Sequence, residues 1–145
     1  MFPAFLDLSN RRVVVVGAGP VAASKLAALR TAGAQIVVVA PEIHPEIAAA
    51  GVEILPRAFE PSDLDGAWWV VAAAPPEVNR QVAEAGAARR VFVNAVDDPR
   101  HGTAYLGGVV RREGVTIAIS TDGRAPALAG LLREALDHWL PVDLH

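Results

Sequence analysis

Cysteine is absent from this chain, which excludes a disulfide framework, a thiolate nucleophile and a cysteine-based metal site. The absence fits a protein of the cytoplasm. Positive charge is sparse: Lys25 is the only lysine, the net charge is −3, and no basic stripe or interleaving of aromatic and basic residues occurs. Nucleic acid is therefore not expected as a partner. The longest apolar run, Ala67 to Pro76, is too short to cross a bilayer, and no membrane association is expected. Met1-Phe2-Pro3-Ala4-Phe5-Leu6-Asp7 lacks a basic region followed by an apolar one, so no secretion signal is expected. Neither a Ser-His-Asp order nor a P-loop lysine is found. His44, His101, His138 and His145 share no helical face and no close ligand spacing, so no permanent metal site is expected. Only His101, near Asp97, is placed to help hold a transient ion. Repeats and low-complexity segments are also missing.

What the chain does have is concentrated near its start. Arg12-Val13-Val14-Val15-Val16 reads as a strand buried on both faces. A G-x-G-x-x-A turn follows, with Gly17, Gly19 and Ala22, and then the apolar spacing Val21, Leu26, Leu29 of a helix. Gly17 allows the tight turn, Gly19 lets a pyrophosphate approach the backbone, and Ala22 lets helix and strand pack closely. Pro20 falls in the first helical turn, where its missing N–H costs nothing. The N–H groups of Val21 and Ala22, at the positive end of the helix, would face phosphates. Small residues also occur in turns for packing alone. The flanking strand, helix and second strand favour dinucleotide binding here.

The rest alternates in the same manner. Strands are expected at Gln35 to Ala40, Val52 to Leu55, Ala67 to Ala73 (containing Trp68 and Trp69) and Val91 to Val96. Helices are expected at Pro20 to Ala32, Pro45 to Ala50 and Pro76 to Arg89, the last with Val78, Val82 and Ala85 inward. Gly33 and Gly51 end the first two helices, and Ser62 to Gly66 reads as a turn. Phe2 to Leu8 reads as an extended lead-in burying Phe2, Phe5 and Leu6 against the sheet edge. This is the pattern of an α/β Rossmann-type, doubly wound parallel sheet over residues 1–104. Residues 105–145 differ. Gly108 to Arg112 and Val115 to Ser120 form a β-hairpin, followed by a helix from about Ala125 to Trp139. Its face of Leu128, Leu131, Leu132, Leu136 and Trp139 is too little for a core of its own. It must pack on the first unit or on a second copy, and a homodimer through this appendage is the favoured arrangement.

In such a sheet, ligands bind beyond the carboxyl ends of the strands. Glu42 stands roughly 20 residues past the glycine turn, where an acidic partner for a ribose is expected, though it lies behind Pro41, two residues beyond the strand. No arginine stands there to receive a 2′-phosphate, which favours NAD over NADP. His44 nearby reads as a loop residue or a cation candidate. Asp97, after the fifth strand, is a candidate general base beside the nicotinamide end; equally, Asp97 and Asp98 could form an Asx turn before Pro99. Arg100, Arg111, Arg112 and Arg124 are solvated surface or contacts for an acidic ligand.

Taken together, these motifs resemble the precorrin-2 dehydrogenase family, which includes the N-terminal module of sirohaem synthase and stand-alone dehydrogenase/ferrochelatases. The resemblance is carried by Phe2-Pro3-x-Phe5-Leu6-Asp7-Leu8, Val15 to Lys25, Val39-Ala40-Pro41-Glu42, Val93 to Asp97, Ile117 to Gly123, Pro126 to Ala129 and Leu131-Leu132-Arg133. It implies NAD-dependent oxidation of precorrin-2 to sirohydrochlorin, on the way to sirohaem or cobalamin, by a homodimer, with metal insertion in some members. It implies Asp97 as the catalytic aspartate and Pro20, Val21, Pro41 and Glu42 at the NAD. The tetrapyrrole substrate carries many carboxylates, so Arg100, Arg111 and Arg124 become its anchors. The chain departs from the family pattern at Ala73 and Ala74, where a hydroxyl and a carboxylate are usual, at Ser24, at Gly107 and at Ala125. Those departures keep open a non-catalytic NAD- or tetrapyrrole-binding module. A nucleotide-binding regulator of ion transport fits less well, because its acid ends the second strand, where this chain has Ala40-Pro41.

Overall fold

The computed structural model describes residues 1–141; the expectations touching His145 and a domain end at residue 145 lie outside them. Two compact units are present, one of Ala4–Tyr105 and one from Leu106 onward together with Met1–Pro3.

The larger unit is a five-stranded parallel sheet. Its strands are β1 (Arg12–Val16), β2 (Gln35–Val39), β3 (Glu53–Leu55), β4 (Trp69–Ala72) and β5 (Phe92–Ala95), in the spatial order β3-β2-β1-β4-β5. The order reverses direction at β1, which opens a crevice between the β1 and β4 connections. β1 pairs on both sides, and its valines alternate between two cores. Val13 and Val15 face helix α1 (Pro20–Thr31), packing with Ala22, Leu26 and Leu29. Val14 and Val16 face helix α3 (Pro76–Arg89), packing with Val82 and Ala85. Each fully buried leucine contributes about 2 kcal/mol. Gly33, at φ 72°, donates to Arg30 O and ends α1 as anticipated. A single turn of helix, α2 (Pro45–Ala48), joins β2 to β3.

Three expectations need correction. The inward stripe of α1 is Ala22, Leu26, Leu29, whereas Val21 in the first turn is exposed. Trp68 lies outside β4 and is also exposed, with the Arg11 guanidinium stacked 3.8 Å from its ring centroid. A cation on the indole face can hold an aromatic residue at the surface. Phe2, Phe5 and Leu6 are exposed too, Phe2 at 92%; only Leu8 of that segment packs against the core. The reason is local: Asp7 accepts from Ser9 N and from no strand, and Arg11 N returns to Leu8 O, so the segment turns into β1 and forms no strand of its own.

One margin of the sheet is short and the other is covered. β3 is three residues long and is followed by Pro56. Along β5, residues 103 and 104 send their N–H groups to Val93 O, Thr103 Oγ1 accepts from Val93 N at 2.9 Å, and Asn94 Nδ2 donates to Ala104 O at 3.1 Å.

The turn expected at Ser62 to Gly66 is a 3₁₀ turn, Pro61–Leu64, built around a buried acid. Asp63 accepts from both Arg57 guanidinium nitrogens, at 2.6 and 3.0 Å, and from Glu60 N at 2.8 Å. Burial alone would raise its pKa, but the Arg57 hydrogen bonds and the Glu60 N–H outweigh it and hold the carboxyl below the usual aspartate range. A group lowered in the folded state stabilises the fold above its unfolded value of about 3.9. That stabilisation is lost as pH falls through the folded value. Asp63→Asn is therefore expected to cost about 1–3 kcal/mol at neutral pH and to give a shallower loss of stability on acidification. Urea melts at neutral and acid pH check this; acid limbs of equal slope for both proteins would contradict it.

The second unit is the antiparallel hairpin β6 (Gly108–Arg112) and β7 (Val115–Ile119) with helix α4 (Pro126–Trp139). Glu113 and Gly114 turn the hairpin, both at positive φ. Arg112 ties β6 to α4, reaching Asp137 Oδ1 at 2.8 Å and Asp137 O at 3.1 Å. Gly107 has a packing reason, because a Cβ there would run into the Ile119 carbonyl. Ala125 supplies no side-chain cap to α4, and Thr121 Oγ1 accepts its N–H instead. On α4, Leu128, Leu131, Leu132 and Trp139 are exposed, Trp139 at 82%. Among the described residues, no helix is long and apolar enough to cross a membrane.

Candidate functional site

The carboxyl edge of the sheet gathers most of the expected residues of the larger unit. Gly17 leaves β1 at φ 101° with its N–H on Val39 O, and a Cβ on it would overlap the Ala73 carbonyl beyond β4. Both the backbone angle and the close approach therefore require glycine. Gly19 is different. It is the N-cap of α1 at φ −86°, ψ −173°, which any residue can adopt, and nothing lies within 4 Å of where its Cβ would be. The space in front of it is open.

Pro20 and Val21 form the exposed first turn of α1, and Ala22 is fully buried against the sheet. Helical bonding begins at Ala23, whose N–H donates to Gly19 O at 3.0 Å. Earlier N–H groups of a helix have no intrahelical acceptor. An anion seated there would meet both those donors and the positive end of the helix.

Pro41 and Glu42 are exposed in the bend after β2. Ala18, Gly19, Glu42, Ile43 and His44 line one cleft of about 320 Å3, so the glycine turn and the acid share a wall. His44 N donates to Ala18 O at 2.9 Å, tying the two loops together. Its ring is half-buried, and Nδ1 accepts from Glu46 N at 3.3 Å as the N-cap of α2. A second hollow, about 390 Å3 and lined by Arg30, Gln35 and Glu53 among others, sits at the amino ends of β2 and β3. That is the wrong edge for a ligand of an open α/β sheet.

Two strand spacings from β1, some 10 Å, the chain leaves β5 with Asp97 and Asp98. The structure separates this pair. Asp98 caps the 3₁₀ turn Pro99–His101: it accepts from Arg100 N at 3.2 Å, Arg100 Nε at 3.4 Å, and pairs with His101 Nδ1 at 2.7 Å. The His101 hydrogen bond, against a smaller opposing effect of desolvation, holds the Asp98 carboxyl below its usual range. Asp97 is exposed and takes part in none of those contacts. The turn expected for both aspartates is thus the work of Asp98 alone. With Nδ1 on Asp98, His101 has no third acidic or imidazole neighbour, and no group of three potential metal ligands occurs among the described residues.

Arg100 is exposed on the same edge, in the 3₁₀ turn. Arg111, opposite Thr116 on β6, and Arg124, in the turn before α4, belong to the other unit and are exposed there. Sequence reasoning missed the residues that brace the edge. Buried Asn79 accepts from Ala74 N at 3.0 Å and fixes the loop after β4. The Tyr105 hydroxyl lies 2.8 Å from Gly102 O and 2.9 Å from Pro99 O, fastening the loop after β5. An asparagine three residues into a helix whose N-cap is proline was the available signal for the first; nothing local marks the second.

Comparison with known proteins is consistent along the whole chain. Residues 4–108 match a family described as putative NAD(P)-binding, and residues 112–138 match the central part of sirohaem biosynthesis proteins. Siroheme synthase 3 of Aeromonas hydrophila is 43% identical over 98% of this chain, and siroheme synthase of Thioalkalivibrio sulfidiphilus is 40% identical over 97%. The chain spans only 31% and 30% of those two relatives. Among solved structures, SirC, a precorrin-2 dehydrogenase, superposes with a TM-score of 0.78 at 26% identity, covering 98% of this chain and 72% of that one.

Proposed function

Because this chain belongs to the family of putative NAD(P)-binding proteins matched over residues 4–108, we propose that it oxidises precorrin-2 to sirohydrochlorin with NAD, as a step of sirohaem biosynthesis. The observation that carries the reading is the cleft shared by Gly19 and Glu42, open in front of the α1 N-terminus, on the same sheet edge as an uncommitted Asp97. The likeness to SirC and to the siroheme synthases supports the substrate.

The residues fit the cofactor: the open space at Gly19 is where a diphosphate needs room, and the N–H groups of Val21 and Ala22 supply donors. Bound NAD supplies the hydride acceptor. Gly17 holds the turn, Pro41 fixes the bend that presents Glu42, and the Glu42 carboxylate accepts from ribose hydroxyls. The same carboxylate repels a 2′-phosphate, which favours NAD over NADP. Oxidation removes one hydrogen from precorrin-2 as hydride and a second as a proton, and Asp97 takes the proton. Arg100, Arg111 and Arg124, all exposed, are assigned to the substrate's carboxylates. Residues 1–104 serve as the cofactor domain and residues from 105 on as the dimerisation part of a cytoplasmic homodimer, through the exposed leucines and Trp139 of α4.

Purified protein incubated with precorrin-2 and NAD is expected to form NADH and sirohydrochlorin stoichiometrically, read by absorbance, and to sediment as a dimer. Adding cobalt or iron to parallel samples reads metal insertion. A second reading, a binding module without turnover, is favoured by Ala73 and Ala74, which place neither hydroxyl nor carboxylate beyond β4. It predicts a calorimetric NAD signal with no NADH at any protein concentration.

A further inference from the structure

The cleft between the glycine turn and the bend after β2 is lined by two residues to which neither the family match nor the reaction as described gives a task. Gly19 and Glu42 are assigned to the diphosphate and the ribose; Ile43 and His44 complete the wall. At about 320 Å3 the cleft sits at the small end of the range for ligand sites, about 300–1,000 Å3. It suits one half of a dinucleotide. Both residues are half-buried. Ile43 packs against the core beneath α1, and His44 N donates to Ala18 O at 2.9 Å, so this wall is fixed to the glycine turn itself. The imidazole is anchored at one edge, where Nδ1 accepts from Glu46 N at 3.3 Å. Ser, Thr, Asp and Asn are the preferred residues for such an N-cap. A ring is more than the cap requires.

Covalent connectivity supplies a use for it. A dinucleotide with its diphosphate at Gly19 and its ribose hydroxyls on Glu42 carries its base on that same ribose, on the carbon next to the one bearing the 2′-hydroxyl. The base is therefore confined to the neighbourhood of Glu42, and the cleft surface that follows Glu42 is Ile43 and His44. Resting on the NAD reading, we propose that Ile43 and the His44 imidazole form the shelf on which the adenine of NAD lies, with His44 setting the affinity for that half of the cofactor. Planar bases stack on aromatic side chains, histidine included, and Ile43 extends the apolar surface beside the ring. Stacking reads the π-face of a base, so His44 contributes affinity and leaves the choice between NAD and NADP to Glu42.

Two substitutions separate the ring from the cap. His44→Asn keeps a side-chain acceptor for Glu46 N and removes the ring, whereas His44→Phe keeps a ring and removes the acceptor. His44→Asn is expected to melt with wild type and to bind NAD and ADP each about 10-fold more weakly by calorimetry. ADP is the informative probe because it carries the adenine, its ribose and the diphosphate but no nicotinamide. His44→Phe is expected to melt a few degrees lower, as loss of a cap predicts, and to bind both nucleotides near the wild-type level. Wild-type affinity in His44→Asn overturns the proposal, and the imidazole is then only a cap. A loss confined to NAD, with ADP unaffected, overturns it as well, since the contact would lie on the nicotinamide half. Wild-type protein that binds neither nucleotide overturns the cofactor reading and this proposal with it. NAD binding without NADH formation from precorrin-2 overturns the dehydrogenase reading alone and leaves the shelf standing.

Discussion

Asp97→Ala is expected to lower NADH formation from precorrin-2 by about 10²–10⁴-fold while leaving NAD affinity, measured by calorimetry, unchanged. The division follows from the position of the residue. Cofactor contacts are assigned to the β1–α1 turn and the bend after β2, whereas Asp97 lies past β5. Its side chain is exposed and joins none of the bonds that hold Asp98, so its removal leaves the turn at Pro99–His101 standing. Asp98→Ala is the informative contrast, because it strips the acceptor from Arg100 N and from His101 and disturbs the turn itself. Full turnover in Asp97→Ala would remove that carboxylate from the chemistry. Equal loss of NAD binding and turnover would mean that the substitution had damaged the cofactor cleft instead.

The second large effect separates the two glycines of the motif. Gly17→Ala forces a side chain into φ 101° and into the Ala73 carbonyl. Backbone strain of about 1–3 kcal/mol adds to overpacking of similar size, about 1–3 kcal/mol. Against a total stability of roughly 5–15 kcal/mol, a loss of about 2–6 kcal/mol is a large share and is expected to lower the melting temperature steeply. Gly19→Ala meets no protein atom within 4 Å and an ordinary backbone conformation. Its folding cost is limited to a poorer N-cap, about 1 kcal/mol or less. The new methyl group instead occupies the space assigned to the diphosphate, and NAD affinity is expected to fall by roughly one to two orders of magnitude. Thermal melts and NAD titrations of both variants decide the matter. Gly19→Ala binding NAD as tightly as wild type would place the cofactor elsewhere.

Legibility in the sequence followed the physics of each signal. Strands and helices of the larger unit were readable because the valine runs and the period of Leu26, Leu29, Val82 and Ala85 reflect burial that repeats along the chain. Apolar character without such a period misled: Phe2, Phe5, Leu6 and Trp68 are exposed, the last under a guanidinium contributed by Arg11. The glycine turn was readable because each small residue answers a local geometric demand. Asp97 and Asp98 were not separable, since two adjacent aspartates before a proline have the same local options; the return of Arg100 and the His101 ring to Asp98 distinguishes them. Asp63 and Asn79 were unreadable as buried polar groups because their acceptor roles depend on turns that exist only once the chain has folded.

The short and covered margins of the sheet carry a consequence for how copies of this chain can associate. With β5 screened by residues 103 and 104 and β3 only three residues long before a proline, neither flank offers a long ladder of amides to a neighbouring backbone. Assembly by continuation of the sheet from one molecule into the next, a route to open-ended fibres, is thereby disfavoured for the larger unit. Contact between copies of that unit is then left to side-chain surfaces, and whether such a contact closes depends on its symmetry.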